Sequence, residues 1–361
     1  MDIEKKKILT GVLTEERMQP LLKYLEREDI TDVDWNGSDL WIKNIDNEKM
    51  RIAPEEHGIT AEYIATITQH IANSVTKKIN KDCPELEAET DNYRITALHE
   101  SVAVSGRCLC IRKTTKEARL NYEKLVEENY CSREILNLLI NCWHAGFNIV
   151  VGGEPGVGKT EFAKYLSLFI SNSERVITIE DVLEWHYKEL KRNADGIELQ
   201  IKPEFDYTAA LKRCVRLNPD RLMLSETRSV EVKYLVEGWS TGVKGISTIH
   251  TDSAKKIPDR ILNMMPSRNE AERLENDVYD NLDIGILISK QFSESGKKQR
   301  FIDEVCFFYR EDGVNKSLEM VENGKLLDIK IPDCKLKKLS KKGIENPYEI
   351  DNKIKNMEIN V

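Results

Sequence analysis

The sequence predicts an α/β domain with a mainly parallel sheet, preceded by a small α+β domain. From about residue 131 onwards, short apolar strands alternate with helical patterns about ten to fifteen residues long, which is typical of βα units. The first 115 residues instead mix amphipathic helices with short strands of alternating polarity. A chain of 361 residues is too long for one ordinary hydrophobic core, which agrees with two domains.

The composition excludes several classes of protein. The chain is 40% hydrophobic and 32% charged, a globular balance rather than a disordered one. Its net charge of −8 argues against a nucleic-acid footprint, so no direct nucleic-acid binding is expected. No apolar run approaches the roughly 18 residues that would span a bilayer, and the charged segment 1–7 has no apolar segment behind it. We therefore expect a cytoplasmic protein.

The elements of the first domain are predicted from local hydrophobic periodicity. A helix is expected over about residues 10–30, where leucines recur on one face, and a second over 60–75, where isoleucines recur at helical spacing. Two short strands flank the turn signal at 36–38, and further strands are expected over 93–98 and 102–113. Together these elements indicate a small α+β domain.

The elements of the second domain are predicted from the alternation of apolar runs with helical patterns. Its expected strands cover 147–153, 175–181, 220–226, 245–251 and 283–290. Its expected helices cover 132–146, 161–171, 207–217 and 232–242, and a hairpin follows over 301–321. This order indicates a mainly parallel sheet.

Shifts in composition set the predicted domain boundaries. Residues 1–115 form the N-terminal α+β domain, and the polar stretch 116–130 is the predicted linker. Residues 131–330 form the α/β domain, and 331–361 form a lysine-rich C-terminal tail. The lysine run at 334–342 is interpreted as solvated rather than as a phospholipid or nucleic-acid contact.

A glycine-rich segment between a predicted strand and a predicted helix carries the strongest motif. GEPGVGKT fits the pattern G-x-x-x-x-G-K-[ST], in which backbone N–H groups and a helix N-terminus surround phosphates. Lys159 is expected to reach the β- and γ-phosphates of ATP, and the Thr160 hydroxyl to bind Mg²⁺. The predicted nucleotide-binding residues are Gly153, Glu154, Pro155, Gly156, Val157, Gly158, Lys159 and Thr160.

Carboxylates and one histidine follow the other predicted strands. Glu226 ends one strand, Glu184 lies shortly after another, and the strand GISTIHT would deliver His250 to the same edge. Taken singly, such acids are ordinary loop ends or helix caps. Their spacing after the glycine-rich motif favours metal binding or activation of a water molecule, because ligands bind at the carboxyl ends of parallel strands. The expected metal ligands are Thr160, Glu226, Glu180 and Asp181.

Four segments, in this order, resemble the secretion ATPases of type II and type IV systems, pilus motors and conjugation apparatus. These segments are GGEPGVGKT, TIEDVLEW, LKRCVRLNPDRLMLSETRS and STGVKGISTIHTDSA. The last two are most similar to the branch that powers conjugation, type IV secretion and Flp-type tight-adherence pili. The resemblance covers roughly residues 30–310 and is densest over 147–254. It implies a RecA-like P-loop NTPase domain behind the small N-terminal domain.

The resemblance implies roles for the matching residues. The family's Walker A pair matches Lys159 and Thr160, and its Walker B glutamate matches Glu226. Its acidic Asp box matches residues 180–184, with Glu184 in the place of the general base.

The resemblance also assigns roles to one histidine and two arginines. The second histidine of the family's His box matches His250, whereas Val243 stands where the first is usual. Arg94 and Arg112 lie where the family's N-terminal domain supplies arginines to a nucleotide. The alternative is that both are plain surface arginines. Ser225 stands where the family usually has glycine.

The resemblance implies a cytoplasmic Mg²⁺-dependent ATPase, peripheral at the inner face of the cell membrane. It implies a homo-oligomeric ring, most often a hexamer, that docks under an inner-membrane platform protein and powers pilus assembly, type IV secretion or conjugative transfer. One alternative is an ATP-binding regulatory or assembly subunit with little turnover, which the missing histidine favours. A second is a RecA-like motor stimulated by nucleic acid, against which the acidic charge counts.

Overall fold

The structure consists of two compact units, Met1–Thr115 and Lys116–Val361. The charged N-terminal segment and the first residues of the helix predicted over 10–30 lie outside the described residues. Each unit has a hydrophobic core of its own. The computed structural model describes residues 15–45, 48–90, 92–114, 116–292 and 298–358.

The described part of the first unit is a six-stranded sheet with amphipathic helices packed on it. Its elements are α1 (Glu15–Leu25), β1 (Ile30–Trp35), β2 (Leu40–Asn44), β3 (Lys49–Ile52), α2 (Pro54–His57), α3 (Ala61–Ser74), β4 (Glu85–Glu89), β5 (Tyr93–Leu98) and β6 (Cys108–Lys113). The strand order is β3-β2-β1-β6-β5-β4, and every neighbouring pair is antiparallel. The periodic leucines of α1 and isoleucines of α3 are buried in its core, and the predicted α+β domain is confirmed.

Two glycine turns explain why the strand predicted over 102–113 begins only at Cys108. Gly37, in the turn between β1 and β2, has a φ of +107°, and a Cβ there would lie 2.5 Å from the backbone oxygen of Ser105. Gly106 has a φ of +113°, and a Cβ there would lie 2.9 Å from the backbone oxygen of Gly37. The two turns pack backbone against backbone, so the chain before Cys108 turns instead of extending the strand.

The second unit is an α/β domain. Its described helices are α4 (Tyr122–Glu127), α5 (Arg133–His144), α6 (Lys159–Ser167), α7 (Tyr187–Leu190), α8 (Tyr207–Cys214), α9 (Val232–Ser240), α10 (Ile257–Asn263), α11 (Arg268–Asn281), α12 (Asp333–Ser340) and α13 (Asn352–Lys355). Its strands are β7 (Ile149–Gly153), β8 (Val176–Glu180), β9 (Gly196–Gln200), β10 (Arg221–Leu224), β11 (Lys244–Ile249), β12 (Ile284–Phe292), β13 (Lys298–Glu311), β14 (Val314–Glu322) and β15 (Lys325–Leu326). In the described part of the chain, no helix is long and apolar enough to cross a membrane.

Among the described residues of the second unit, nine strands form one sheet, in the order β15-β14-β13-β12-β7-β11-β10-β8-β9. The strands from β12 to β9 run parallel, whereas β13, β14 and β15 are antiparallel additions. Ile149 and Val151 of β7 enter one core and Val150 enters the other, so helices cover both faces. The predicted mainly parallel sheet is confirmed, and its carboxyl ends meet at one edge.

Two segments differ from their predicted state because they contain apolar residues at helical spacing. The stretch 116–130, predicted as a linker, contains α4 and buries Tyr122 and Leu125 in the core of the second unit. The stretch 331–361, predicted as a tail, contains α12 and α13 within its described residues and buries Leu339 in the same core. Their polar composition concealed these buried faces.

The lysine-rich segment is held by a buried carboxylate just before β12. Asp283 accepts hydrogen bonds from Lys335 Nζ at 2.7 Å, from Lys338 Nζ at 2.6 Å and from the backbone N–H of Asn148 at 2.7 Å. Asp283 and Lys335 are 4% and 5% exposed. Burial alone would raise the pKa of Asp283, but the two lysines hold it below its usual value. Asp283 therefore ties α12 to the amino-terminal ends of β7 and β12.

We predict that Asp283→Asn lowers the free energy of unfolding by about 3–5 kcal/mol, because it leaves Lys335 buried without its ion-pair partner. The exposed Lys342 lies in the same segment, so Lys342→Ala is the matched control. It should change the free energy of unfolding by less than about 0.5 kcal/mol. The folded-state pKa of Asp283 is lowered, so its contribution is present above the unfolded pKa and is lost as the pH falls through the folded pKa. Urea unfolding measures both variants, and equal stabilities would contradict this role.

Candidate functional site

The glycine-rich loop joins the central strand β7 to the helix α6. Gly153, Gly156 and Gly158 have φ values of +145°, +72° and +94°, a region that L side chains rarely adopt. A Cβ at Gly153 would also lie 2.5 Å from the backbone oxygen of Ile288 in β12. The loop therefore needs glycine for its conformation and for its close approach to the neighbouring strand. Loops of this kind present backbone N–H groups to bound anions.

Lys159, the first residue of α6, is folded back onto this loop. Its Nζ donates to the backbone oxygens of Gly153 at 2.9 Å and Glu154 at 3.0 Å, and it lies 3.2 Å from His250 Nδ1. Lys159 is 8% exposed, and burial lowers its pKa to about 8. These three neighbours are neutral oxygens and an imidazole nitrogen, so an incoming phosphate would offer the amino group a stronger partner.

His250 links Lys159 to a carboxylate. It follows β11 directly, and its Nε2 lies 3.0 Å from Glu226 Oε1 while its Nδ1 faces Lys159. The neutral tautomer with the proton on Nε2 satisfies both contacts, because Nε2 then donates to Glu226 and Nδ1 accepts from Lys159. The His250 side chain is 43% exposed, which leaves the imidazole accessible from solvent.

Arg228 extends this series of contacts to the next strand. One guanidinium nitrogen donates to Glu226 Oε2 at 2.7 Å, and the other donates to Asp181 Oδ2 at 2.9 Å. Lys159, His250, Glu226, Arg228 and Asp181 thus form a continuous polar chain across the carboxyl ends of β7, β11, β10 and β8. We name these five residues the edge network.

Glu180 lies behind the edge network, fully buried at the end of β8. Its Oε2 accepts the backbone N–H groups of Glu184 at 2.7 Å and Trp185 at 3.0 Å. Burial raises the pKa of Glu180 to about 8. Oε1 is left for the proton, and it has no hydrogen-bond partner among the described residues. Glu180, which the sequence grouped with the metal ligands, therefore lies inside the protein as the support of the following turn.

Two further side chains hold the turn after β8. Lys164 Nζ, from α6, donates to the backbone oxygen of Glu184 at 3.2 Å. The Tyr207 hydroxyl, from α8, accepts the backbone N–H of Asp181 at 3.1 Å and lies 3.3 Å from Ser225 Oγ. Ser225 thus takes part in a contact that joins β10 to this turn.

Val243 lies at the opposite end of β11 from His250. Val243 precedes the strand, His250 follows it, and seven residue steps of extended chain span about 23 Å. Val243 is partly buried against the core that α8 and α9 help to form. A histidine at position 243 would therefore lie far from the glycine-rich loop of its own chain, so the valine there leaves the edge network intact.

Two side-chain hydrogen bonds outside the sheet ladder hold the chain on either side of His250. Glu304 of β13 accepts the Ser253 hydroxyl at 2.8 Å. Thr248 of β11 donates from its hydroxyl to the backbone oxygen of Ser225 at 2.6 Å, which joins the ends of β10 and β11. The second contact lies next to His250 on one strand and Glu226 on the other, where it holds the two strand ends together.

Arg94 and Arg112 belong to the first unit, where they face each other on β5 and β6. Asp32 on β1 lies opposite Arg112, and Glu89 on β4 lies opposite Arg94, so the four charges form one row across the sheet. Arg112 Nε lies 3.0 Å from Asp32 Oδ1. The flanking acids offset the repulsion between the two arginines.

The residues at the loop suit a magnesium ion that takes some of its ligands from the protein and the others from phosphate. Thr160 is half-buried in the first turn of α6, and Glu226 and Asp181 stand at neighbouring strand ends. Within the described ranges, no group of three or more His, Cys, Asp or Glu side chains is arranged to hold a metal. A site with few protein ligands fits Mg²⁺, which commonly keeps water and takes phosphate oxygens.

Several contributors to the site carry no recognisable spacing in the sequence. Lys164 and Tyr207 approach the turn after β8 from two different helices. Lys290 of β12 donates to the backbone oxygen of Pro155 at 3.2 Å. Burial is the main cause of the lowered pKa of Lys159, and the positive charge of Lys290 lowers it further. Only the tertiary fold brings these residues to the loop.

Comparisons with known proteins agree with this geometry. A model of the type II/IV secretion system protein family matches residues 19–345. An uncharacterized protein of Bacillus anthracis is 28% identical over 267 residues, which cover 73% of this chain and 60% of that protein. The type IV secretion system protein VirB11 of Bartonella quintana is 29% identical over 165 residues, which cover 44% of this chain and 45% of that protein. The chain thus spans less than two thirds of either relative.

The fold itself is similar to that of a solved ATPase. The ATPase DotB of Yersinia pseudotuberculosis superposes with a TM-score of 0.63, covering 97% of this chain and 95% of that one at 12% identity. At that identity the likeness shows the fold. The P-loop α/β domain expected from the sequence is therefore confirmed.

We predict that Glu180→Gln changes how stability depends on pH. The folded-state pKa of Glu180 is raised to about 8 by burial, so its contribution to stability is fully present below the unfolded pKa and is lost as the pH rises through about 8. Between pH 5 and 8 the wild type should therefore lose stability relative to Glu180→Gln, by up to about 1.4 kcal/mol per pH unit.

Urea unfolding at several pH values measures this difference between the variants. Glu204→Gln, which changes an exposed glutamate, is the matched control and should parallel the wild type. If the free energy of unfolding of Glu180→Gln also parallels that of the wild type across this pH range, the prediction is wrong.

Proposed function

The chain belongs to the type II/IV secretion system protein family, and on that premise we propose that it is a Mg²⁺-dependent ATPase that drives a secretion, conjugation or pilus machine. The observation that carries the proposal is the edge network beside the glycine-rich loop. It sets a buried lysine, an imidazole and two carboxylates at the carboxyl edge of a parallel sheet, where such sheets bind nucleotides.

Lys159 is the proposed phosphate contact. On ATP binding, its amino group would exchange the backbone oxygens of Gly153 and Glu154 for β- and γ-phosphate oxygens. His250 would lose its contact with Lys159 in that exchange and regain it once the γ-phosphate has left. We therefore propose His250 as the γ-phosphate sensor, which transmits the change to Glu226.

Glu184 is the proposed general base. Its carboxylate would take a proton from water as the water oxygen bonds to the γ-phosphorus and the bond from that phosphorus to ADP breaks. Thr160, Glu226 and Asp181 are proposed to hold Mg²⁺, directly or through water, and the bound metal would neutralise charge on the β- and γ-phosphates. Glu180 serves in this scheme as the support of Glu184.

A homo-oligomeric ring, most simply a hexamer, is the proposed working form, docked on an inner-membrane platform protein from the cytoplasmic side. Arg94 and Arg112 are proposed to meet the phosphates of a nucleotide held by the same or a neighbouring chain. The row of four charges in the first unit supports this part, because each arginine has an acid beside it that can be exchanged for phosphate.

The test of turnover is steady-state phosphate release from the purified chain with Mg²⁺-ATP. Lys159→Ala and Glu226→Gln should each lower kcat/KM at least about a hundredfold, because the first removes a cation that contacts the phosphates and the second removes a proposed ligand of the Mg²⁺ that neutralises them. Glu184→Gln should bind ATP normally but lose turnover. Lys325→Ala, on the exposed strand β15, is the control and should match the wild type.

The same assay separates the alternatives. Tight ATP binding by the wild type without turnover would replace the motor with a regulatory or assembly subunit. Stimulation by single-stranded DNA would favour a nucleic-acid motor, whereas we expect the rate to be unchanged. Light scattering with and without ATP measures the size of the ring.

ATP affinity should depend on pH through Lys159. The pKa of Lys159 is about 8 without nucleotide, and phosphate contact would raise it, so above pH 8 binding must be accompanied by proton uptake. The Kd for ATP is then expected to rise by up to about tenfold per pH unit above pH 8. Calorimetry in buffers of different ionisation enthalpy measures the proton uptake.

Lys159→Arg is the control for this pH effect, because arginine stays charged throughout the range. Its Kd should be weaker than that of the wild type but flat between pH 7 and 9.5. A wild-type Kd that is equally flat would contradict the assignment of the pH effect to Lys159.

A further inference from the structure

Two buried ionisable side chains form hydrogen bonds with the backbone of Glu184, one with its N–H group and one with its carbonyl oxygen. Glu180 Oε2 accepts the N–H of Glu184 at 2.7 Å and that of Trp185 at 3.0 Å. Lys164 Nζ donates to the carbonyl oxygen of Glu184 at 3.2 Å. Both Glu180 and Lys164 are 0% exposed, so neither is an ordinary surface charge.

Burying these two ionisable groups lowers the stability of the folded protein. Removing a carboxyl and an amino group from water is unfavourable, and apolar residues of similar volume would often serve the core as well or better. Burial raises the pKa of Glu180 to about 8 and lowers the pKa of Lys164, which reflects that cost. A requirement other than stability is needed to account for the pair.

The pair also connects two parts of the site. Lys164 lies on α6, the helix that begins with Lys159 at the glycine-rich loop. Glu180 ends β8 and carries the turn on which Glu184 lies. A shift of α6 when phosphate binds would therefore reach the Glu184 backbone through a single side chain.

We propose that Lys164 and Glu180 are positioning residues, which hold the Glu184 backbone so that its carboxylate meets the attacking water. This assignment rests on the proposed function, in which Glu184 is the general base. Neither residue contacts the substrate in this scheme. They act on the rate of the chemical step through Glu184 and leave the binding of ATP to the glycine-rich loop.

The chain offers a matched control in Lys191. Lys191 is also a buried lysine, 4% exposed, and its Nζ donates to the backbone oxygens of Leu168, at 3.0 Å, and Ile170, just beyond the end of α6. Burial lowers its pKa to about 8. Lys191 is thus, like Lys164, a buried lysine that donates to backbone oxygen, but it holds a different piece of backbone.

The first measurement compares Lys164→Met with Lys191→Met. Both should lose similar amounts of stability in urea unfolding. Only Lys164→Met should lose kcat, by about ten- to a hundredfold with KM within about threefold, because misplacing a catalytic group slows chemistry more than binding. Amide hydrogen exchange of the peptide 181–187 should be faster in Lys164→Met and unchanged in Lys191→Met.

Glu180 supplies a second pair of variants in case Lys164→Met fails to fold. Glu180→Gln keeps an acceptor oxygen and should retain kcat within about threefold, whereas Glu180→Leu should lose it by about ten- to a hundredfold. Equal kcat losses in Lys164→Met and Lys191→Met, or in the two Glu180 variants, would overturn the positioning role alone. Absence of turnover in the wild type would overturn the proposed function and this role together.

Discussion

The parallel alignment of β7, β11, β10 and β8 is the constraint on which the rest of the site depends. Parallel strands end at one edge of a sheet, so residues that follow different strands become neighbours there. His250 and Lys159 are far apart in sequence, yet their side-chain nitrogens lie 3.2 Å apart. Helices cover both faces of the sheet, and successive residues of β7 pack into one core or the other.

The charges at this edge are mutually satisfied before any nucleotide arrives. Lys159 rests on backbone oxygens, while Glu226 is shared between His250 and Arg228. Nucleotide binding is therefore an exchange of partners, and its free energy is the difference between phosphate contacts and those that are given up. Such an exchange suits a cycle, because loss of the γ-phosphate allows the original contacts to form again.

Buried polar groups hold the two ends of the parallel strands in different ways. At the amino-terminal end, Asp283 binds two lysines and the backbone of Asn148, which locks α12 against β7 and β12. At the carboxyl end, Glu180 and Lys164 hold the turn after β8. Removing a single partner at either end would leave a buried charge or a buried unsatisfied group, which costs more than the pair itself contributes.

The sequence by itself determined the fold class, the glycine-rich loop and the strand that each candidate residue follows, because periodicity and motif spacing are local properties. It was misled at 116–130 and 331–361, where a polar composition hid apolar residues that become buried in helices. It grouped Glu180 with the metal ligands, whereas tertiary packing turned that carboxylate inward onto the backbone. The approach of Lys164, Tyr207 and Lys290 to the loop was decided only by the tertiary structure, since contacts between distant elements depend on how the helices pack on the sheet.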